Sequence, residues 1–282
     1  DWSSDVCSSD LSWKEDFLER LRGLDVGADD LMLKEVDRQQ ILGRVARVMR
    51  PRLLLHRQLQ LGGTVTGRIE RIGILGVLDA VTARRPDCRV TVRESFSYFE
   101  FEVAGGELAA VTCTGSDGSF VSGTRALERL LGVQGGRFTV VESTDTPAPQ
   151  FPEGGHAAIR AASERLNDLV AQVIDGALLD IARVELDEEV VTSYSHVMPP
   201  KLRLPLERLR AGDSPREVLL AGGASPDALE TLLLDLIRVG AIERIQAPPP
   251  DRNRAPMARD SARWRALASG ELLPEDEAVA RP

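Results

Sequence analysis

"SYFEFEVAGGELAAVTC", residues 97–113, sets two apolar-rich runs on either side of a pair of glycines. In the first run Phe99, Phe101 and Val103 alternate with Tyr98, Glu100 and Glu102, the period of a strand with one face buried and one wet. Gly105 and Gly106 suit a tight hairpin turn, and "ELAAVTC" supplies the returning strand. Just upstream, "CRVTV" is a third strand-like run. Before it, "TGRIERIGILGVLDAVTARR" holds a helix whose inward stripe is expected at Ile74, Leu75, Leu78, Val81 and Thr82. Downstream come a helix, "TRALERLLG", and a last strand, "GGRFTVV". Residues 59–142 therefore read as a small α+β domain with antiparallel strands.

This order of elements resembles the PATAN domain, a bacterial signalling module often attached to receiver domains. The matching stretches are "GRIERIGILGVLDAV" for an opening strand and helix, "FEFEVAGGELAAVTC" for the hairpin, and "GTRALERLLGVQGGRF" for the closing helix and strand. Val133 stands where many members have tryptophan. The resemblance implies an output domain that contacts other proteins. Within "TGSDGSFVSGTRAL", Gly115, Gly118 and Gly123 precede a helix, and helix N-termini attract phosphate. Their spacing fits neither a dinucleotide fingerprint nor a P-loop, and a turn before a helix start accounts for them.

The 282 residues are 43% hydrophobic, and that length favours two or more compact units. A net charge of -9 repels phosphate backbones and anionic lipid, so a nucleic-acid role would need a local basic patch. Cys7, Cys88 and Cys113 are odd in number and far apart, without CxxC or nearby histidines, which argues against a zinc site or a disulfide framework. No run approaches the apolar length that crosses a bilayer, and the N-terminus lacks a secretory pattern, so a cytoplasmic protein without membrane partners is expected.

"DWSSDVCSSDL", residues 1–11, repeats Ser-Ser-Asp and resembles a translated sequencing-adapter scar, the alternative being a polar disordered start. In residues 12–52, Phe17, Leu18, Leu21 and Leu24 fall near helical spacing and "ADDLMLK" supplies a strand over Leu31 to Leu33. Asp37 then caps a helix with Ile41, Leu42, Val45, Val48 and Met49 on one face, which Pro51 is expected to close. "GLDVGADDLMLKEVDRQQILGRVARVMR" is similar to the C-terminal part of a bacterial response-regulator receiver domain, through Gly-Ala-Asp-Asp, an apolar run, Lys and a helix opening on an acidic residue. The segment is thus expected to be a truncated α/β remnant of a receiver. The resemblance implies that Lys34 contacts the phosphoryl group of a phosphoaspartate, a task that suits an ammonium at a strand's C-terminal end. Glu35 replaces the usual proline, and Leu31 occupies the aromatic switch position. The phosphoacceptor belongs to earlier strands of that fold and is expected outside this chain. No metal ligand or cofactor is assigned, since Mg2+ is expected only with a complete receiver.

Between residues 36 and 57 stand Arg38, Arg44, Arg47, Arg50, Arg52 and Arg57 against Asp37 alone. Without aromatics for stacking, a solvated basic face or a contact for the acidic helix below is preferred to a nucleic-acid stripe. "ESTDTPAPQFPEGGH", with Pro147, Pro149 and Pro152, reads as a linker over 143–156. Residues 157–190 read as one amphipathic helix with an acidic far side. A strict heptad fails at Asp180, so packing is favoured over a coiled coil, and homodimerisation stays open.

Over 202–245, "DSPREVLLAGG" and "SPDALETLLLDLIRVG" are helices capped by Asp213 or Ser214 and by Ser225, with Pro215 and Pro226 in their first turns and Gly222 and Gly240 at their ends. With "AIERI" they resemble the helix-turn-helix and first wing strand of a winged helix. The second helix carries Asp227, Glu230 and Asp235 against Arg238, the wrong sign for a DNA groove. A degenerate winged-helix-like module that contacts proteins is expected. Residues 246–282 read as a disordered tail in which Trp264 and Leu267 could anchor a short bound helix.

An enzyme is not expected and no catalytic residue is assigned, because His56, His156 and His196 are isolated from nucleophiles, bases and ligands. "TSYSHVMPP" around His196 reads as a surface loop. The expected function is that of a two-component phosphorelay protein, its partners being other signalling proteins, including a histidine kinase through the receiver part. The alternatives are a DNA-binding transcriptional regulator using the Arg38 to Arg57 stripe and the 202–245 unit, or a structural scaffold with a receiver that cannot be phosphorylated.

Overall fold

The computed structural model describes residues 9–12, 30–33, 37–95, 97–144, 147–174 and 177–247, and the chain divides into two compact units at residues 167 and 168. The described residues are α+β, with eight α-helices and a six-stranded antiparallel sheet.

In the first unit β1 (Ser9–Ser12) and β2 (Asp30–Leu33) pair in parallel, Ser9 opposite Asp30. Most of β1 falls in the stretch that the sequence sets aside at 1–11. α1 (Arg38–Leu61) starts at Asp37, whose Oδ1 accepts the backbone N–H groups of Gln39 at 2.7 Å and Gln40 at 2.9 Å. The helix does not close at Pro51 but runs through it. Leu55 and Leu59, one and two turns beyond, are buried. Burying two leucines stabilises by about 4 kcal/mol, against about 3 kcal/mol for an interior proline, so packing wins.

β3 (Val65–Arg68) leads through a 3₁₀ turn to α2 (Ile74–Arg84). A meander follows: β4 (Cys88–Arg93), β5 (Ser97–Ala104), β6 (Glu107–Gly115) and the short β7 (Phe120–Ser122). Then come α3 (Thr124–Leu131), β8 (Arg137–Glu142) and α4 (Gly155–Ile174). The sheet order is β3-β8-β4-β5-β6-β7, with every neighbouring pair antiparallel. Gly105 and Gly106 turn the β5–β6 hairpin at φ 60° and 82°, a left-handed pair that side-chain-bearing residues resist.

One face of the sheet carries the core. Phe99, Phe101 and Val103 of β5 are buried, as their alternation demands, with Val90, Val111, Phe138 and Val140 beside them. α2 and α3 cover this face. α2 turns in Ile74, Val77, Leu78, Ala80 and Val81, whereas Leu75 is half exposed and Thr82 satisfies its hydroxyl on the Leu78 carbonyl at 2.9 Å. The stripe is thus rotated from the expected one: Ile74, Val77, Leu78 and Val81 share a face at 100° per residue, and Leu75 falls on its margin.

The segment expected as a linker docks instead. Phe151 is buried in the core, and the Gln150 backbone N–H donates to the Ala109 carbonyl at 2.8 Å. The Gln150 Oε1 accepts from the backbone N–H groups of Val111 at 2.9 Å and Gly123 at 3.0 Å. Gly155 then opens α4 against the backbone of β6, with its N–H on Glu107 Oε2 at 3.1 Å. The stretch of β6 that β7 leaves unpaired is thereby covered, which removes an adhesive edge. Ala158 and Ala162 of α4 complete the core.

The helix expected over 157–190 ends at Ile174. A 3₁₀ turn, β9 (Arg183–Leu186) and α5 (Glu188–Ser195) replace its second half. Buried Val184 between exposed Arg183 and half-buried Glu185 has period two rather than 3.6. Asp187 starts a new helix by accepting the N–H groups of Glu189 at 3.1 Å and Val190 at 3.3 Å. α6 (Arg203–Arg210), α7 (Pro215–Leu220), α8 (Pro226–Arg238) and β10 (Ile242–Gln246) complete the second unit, and β10 pairs antiparallel with β9. Ser214 and Glu217 form a capping box on α7, and Ser225 caps α8. Gln246, expected to begin a tail, is the last residue of β10; Trp264 and Leu267 lie outside the described residues.

Two glycines make the packing testable. A Cβ on Gly155 would stand 2.3 Å from the Leu108 carbonyl oxygen, while Gly43, on the exposed side of α1, has nothing within 4 Å. Gly155→Ala is expected to lower stability by about 2 kcal/mol and Gly43→Ala to raise it by about 1 kcal/mol, read as opposite shifts of the urea midpoint.

Candidate functional site

Arg85 immediately follows α2 and is 6% exposed. Arginine is almost never so buried without partners. Its Nε donates to the Leu59 carbonyl at 2.6 Å, Nη2 to the Gly63 carbonyl at 3.1 Å and Nη1 to Glu142 Oε1 at 2.7 Å. Leu59 lies in the last turn of α1, where carbonyls lack intrahelical donors. The guanidinium therefore caps α1 while gripping the end of β8. The Glu142 side chain is 68% exposed, so solvent screens that ion pair and the two carbonyl contacts carry more of the energy.

The next two residues extend the junction. The Pro86 carbonyl accepts from Gly106 N–H at 2.9 Å, and Asp87 Oδ1 accepts from Gly105 N–H at 3.0 Å. Arg85-Pro86-Asp87 thus holds the ends of α1, α2 and β8 and the β5–β6 turn at one place. Alternation and helical periodicity do not register such a residue. The available signal was an arginine at the end of an apolar helix, close in sequence to a helix end that needs donors.

α1 brings one further feature to this junction. Its inner side is buried at Leu55 and Leu59, whereas Leu42, Leu53, Leu54 and Leu61 are at least half exposed. Of the arginine stripe, Arg38, Arg47, Arg50 and Arg57 are exposed.

Lys34 and Glu35 lie outside the described residues, and of Leu31 only its place in β2 is described. The histidines have separate neighbours. His56 Nδ1 accepts from Arg84 Nε at 3.4 Å, His156 Nδ1 is 3.8 Å from Glu107 Oε1, and His196 is the C-cap of α5. The "TSYSHVMPP" segment is no surface loop. Tyr194 and Met198 are buried, and the Tyr194 hydroxyl donates to Asp235 Oδ2 at 3.2 Å. Burial and that carboxylate hold the phenol protonated well above its ordinary range.

Cys88 and Cys113 are buried free thiols, and burial pushes the Cys88 thiol up to about 11, away from a nucleophilic thiolate. The glycine-rich stretch is the β6–β7 turn, closed on itself by Gly115 N–H on the Ser119 carbonyl and Gly118 N–H on the Gly115 carbonyl. Among the described residues no group of three histidine, cysteine, aspartate or glutamate side chains could hold a metal ion. α8 buries Leu229, Leu232, Leu233, Leu236 and Ile237 and leaves Asp227 and Thr231 exposed.

No family model matches the chain, and no curated protein or solved structure matches it.

Arg85→Ala is expected to cost about 3 kcal/mol, because it strands two carbonyls, whereas Glu142→Gln at the exposed partner is expected to cost under about 1 kcal/mol. Urea unfolding of the two variants measures the ranking; equal losses would contradict it.

Proposed function

We propose that the protein is a bacterial two-component signalling adaptor. In it residues 12–52 are the C-terminal part of a receiver, residues 59–142 form a PATAN-like output domain, and residues 202–245 form a degenerate winged-helix-like module that contacts other proteins. The observation that carries the proposal is the Arg85-Pro86-Asp87 junction, which binds the end of α1 to the sheet and to its β5–β6 turn. A helix that enters the domain from the receiver side and is fixed by its carbonyls at the far end is suited to convey displacement.

In this scheme the phosphoacceptor lies outside the 282 residues and Lys34 faces its phosphoryl group. Phosphorylation displaces β2 and α1, and the capped end of α1 passes the change through Arg85 to β8 and through Asp87 to the hairpin. The partners are signalling proteins, a histidine kinase among them, in the cytoplasm. Among the described residues no helix is long and apolar enough to cross a membrane. The exposed acidic start of α8 opposes a DNA-reading role.

The test adds beryllofluoride and Mg2+ to the full-length protein and follows hydrogen exchange. Altered exchange in the last turn of α1 and in the β5–β6 turn is expected. Beryllofluoride bound with exchange over residues 36–110 unchanged would refute the coupling.

A further inference from the structure

The face of the sheet opposite the core is polar. The strand register sets Arg68, Arg137, Arg93, Tyr98, Thr114 and Phe120 side by side across all six strands, from β3 to β7. Neighbouring strands are about 4.8 Å apart, so the three arginines stand next to one another, an arrangement that costs stability when nothing neutralises it. Each arginine has a different environment. Arg68 pairs with Glu70 at 3.1 Å, and the Arg93 guanidinium sits over the Tyr98 ring, 5.6 Å from its centroid. Arg93 and Arg137 are exposed and meet no carboxylate among the described residues. The next row begins with Thr66, Thr139 and Thr91, which place hydroxyls beside the three arginines.

The rest of the face differs. Arg89, one row further along β4, is matched by Glu102 at 2.7 Å and Glu100 at 3.4 Å. At the far end of the arginine row Phe120 is 64% exposed. The face is therefore basic at the β3–β8–β4 end, acidic on β5 and apolar at β7.

We propose that this row is a docking surface for an extended acidic peptide of a protein partner, with carboxylates on Arg137 and Arg93 and an apolar side chain on Phe120. The row spans about 24 Å, which about seven extended residues cover. Charge complementarity selects the occupant: a peptide can confine its carboxylates to one end, whereas a nucleic-acid backbone carries a charge at every step and, past Arg93, runs beside Glu100, the neighbour of Tyr98 on the same face of β5. Tyr98 is also covered by Arg93 and offers no open ring for a base. The surface is separate from the Arg85 junction, and the proposal holds with or without a receiver.

The probe is a fluorescein-labelled peptide of three glutamates, three glycine or serine spacers and a terminal leucine, titrated into the whole chain at low salt with anisotropy readout. Salt-sensitive binding is expected, weakened about fivefold by Arg137→Ala and again by Arg93→Ala, the size of one exposed ion pair each. Phe120→Ala is expected to weaken it too, while Arg47→Ala on α1 leaves it unchanged. Without peptide, Arg137→Ala melts no lower than the parent, because like-charge repulsion is relieved; Arg137→Gln repeats the binding measurement should the alanine variant fold poorly. Absent binding, affinity insensitive to Arg137 and Arg93 but sensitive to Arg47, or tighter binding of a labelled oligothymidylate at the same arginines would overturn the proposal.

Discussion

The guanidinium of Arg85, shut away from water between the carbonyls of Leu59 and Gly63 and the carboxylate of Glu142, fixes how the first unit is assembled. Hydrophobic burial supplies more free energy. Leu55, Leu59 and the α2 stripe would adhere to the sheet in several registers, because apolar contact is non-directional. A planar fork with donors aimed at three acceptors allows one arrangement. The pairing of β8 with β4 and the hairpin turn held by Asp87 then follow from where α1 ends.

Much of this unit is legible in the sequence because its signals are local. The alternation around Phe101, the Gly105-Gly106 turn and the caps at Asp37, Ser214 and Ser225 each depend on residues a few positions apart, and the structure places them as their chemistry requires. The features that sequence misses depend on distant partners. Pro51 reads as a stop until Leu55 and Leu59 find a core. Gln150 reads as linker until its amide meets the open edge of β6. The end of α4 at Ile174 was hidden by leucines and isoleucines that serve a helix, a turn and a strand in succession. Arg85 gives no periodic signal, and its role comes from carbonyls 26 and 22 positions away.

The two faces of the sheet have different chemistry for the same reason of register. Odd positions of β5 are locked beneath helices, and even positions carry Tyr98, Glu100 and Glu102 outward. Because the strands pair without slippage on this row, arginines from β3, β8 and β4, far apart in sequence, fall into line. A chain of net charge -9 thus presents a local basic strip that composition conceals. In the second unit α8 turns Leu229, Leu232, Leu233, Leu236 and Ile237 to the core and leaves Asp227 and Thr231 exposed.

The most direct test of α1 and the sheet as one mechanical body is native-state hydrogen exchange in rising urea. If Arg85 unites them, amides in the last turn of α1 and in β4 and β8 open with a common free energy and a common urea dependence. Exchange of the last turn of α1 at a much lower free energy, independent of urea while the strands stay protected, would show that the helix end frays alone and conveys nothing.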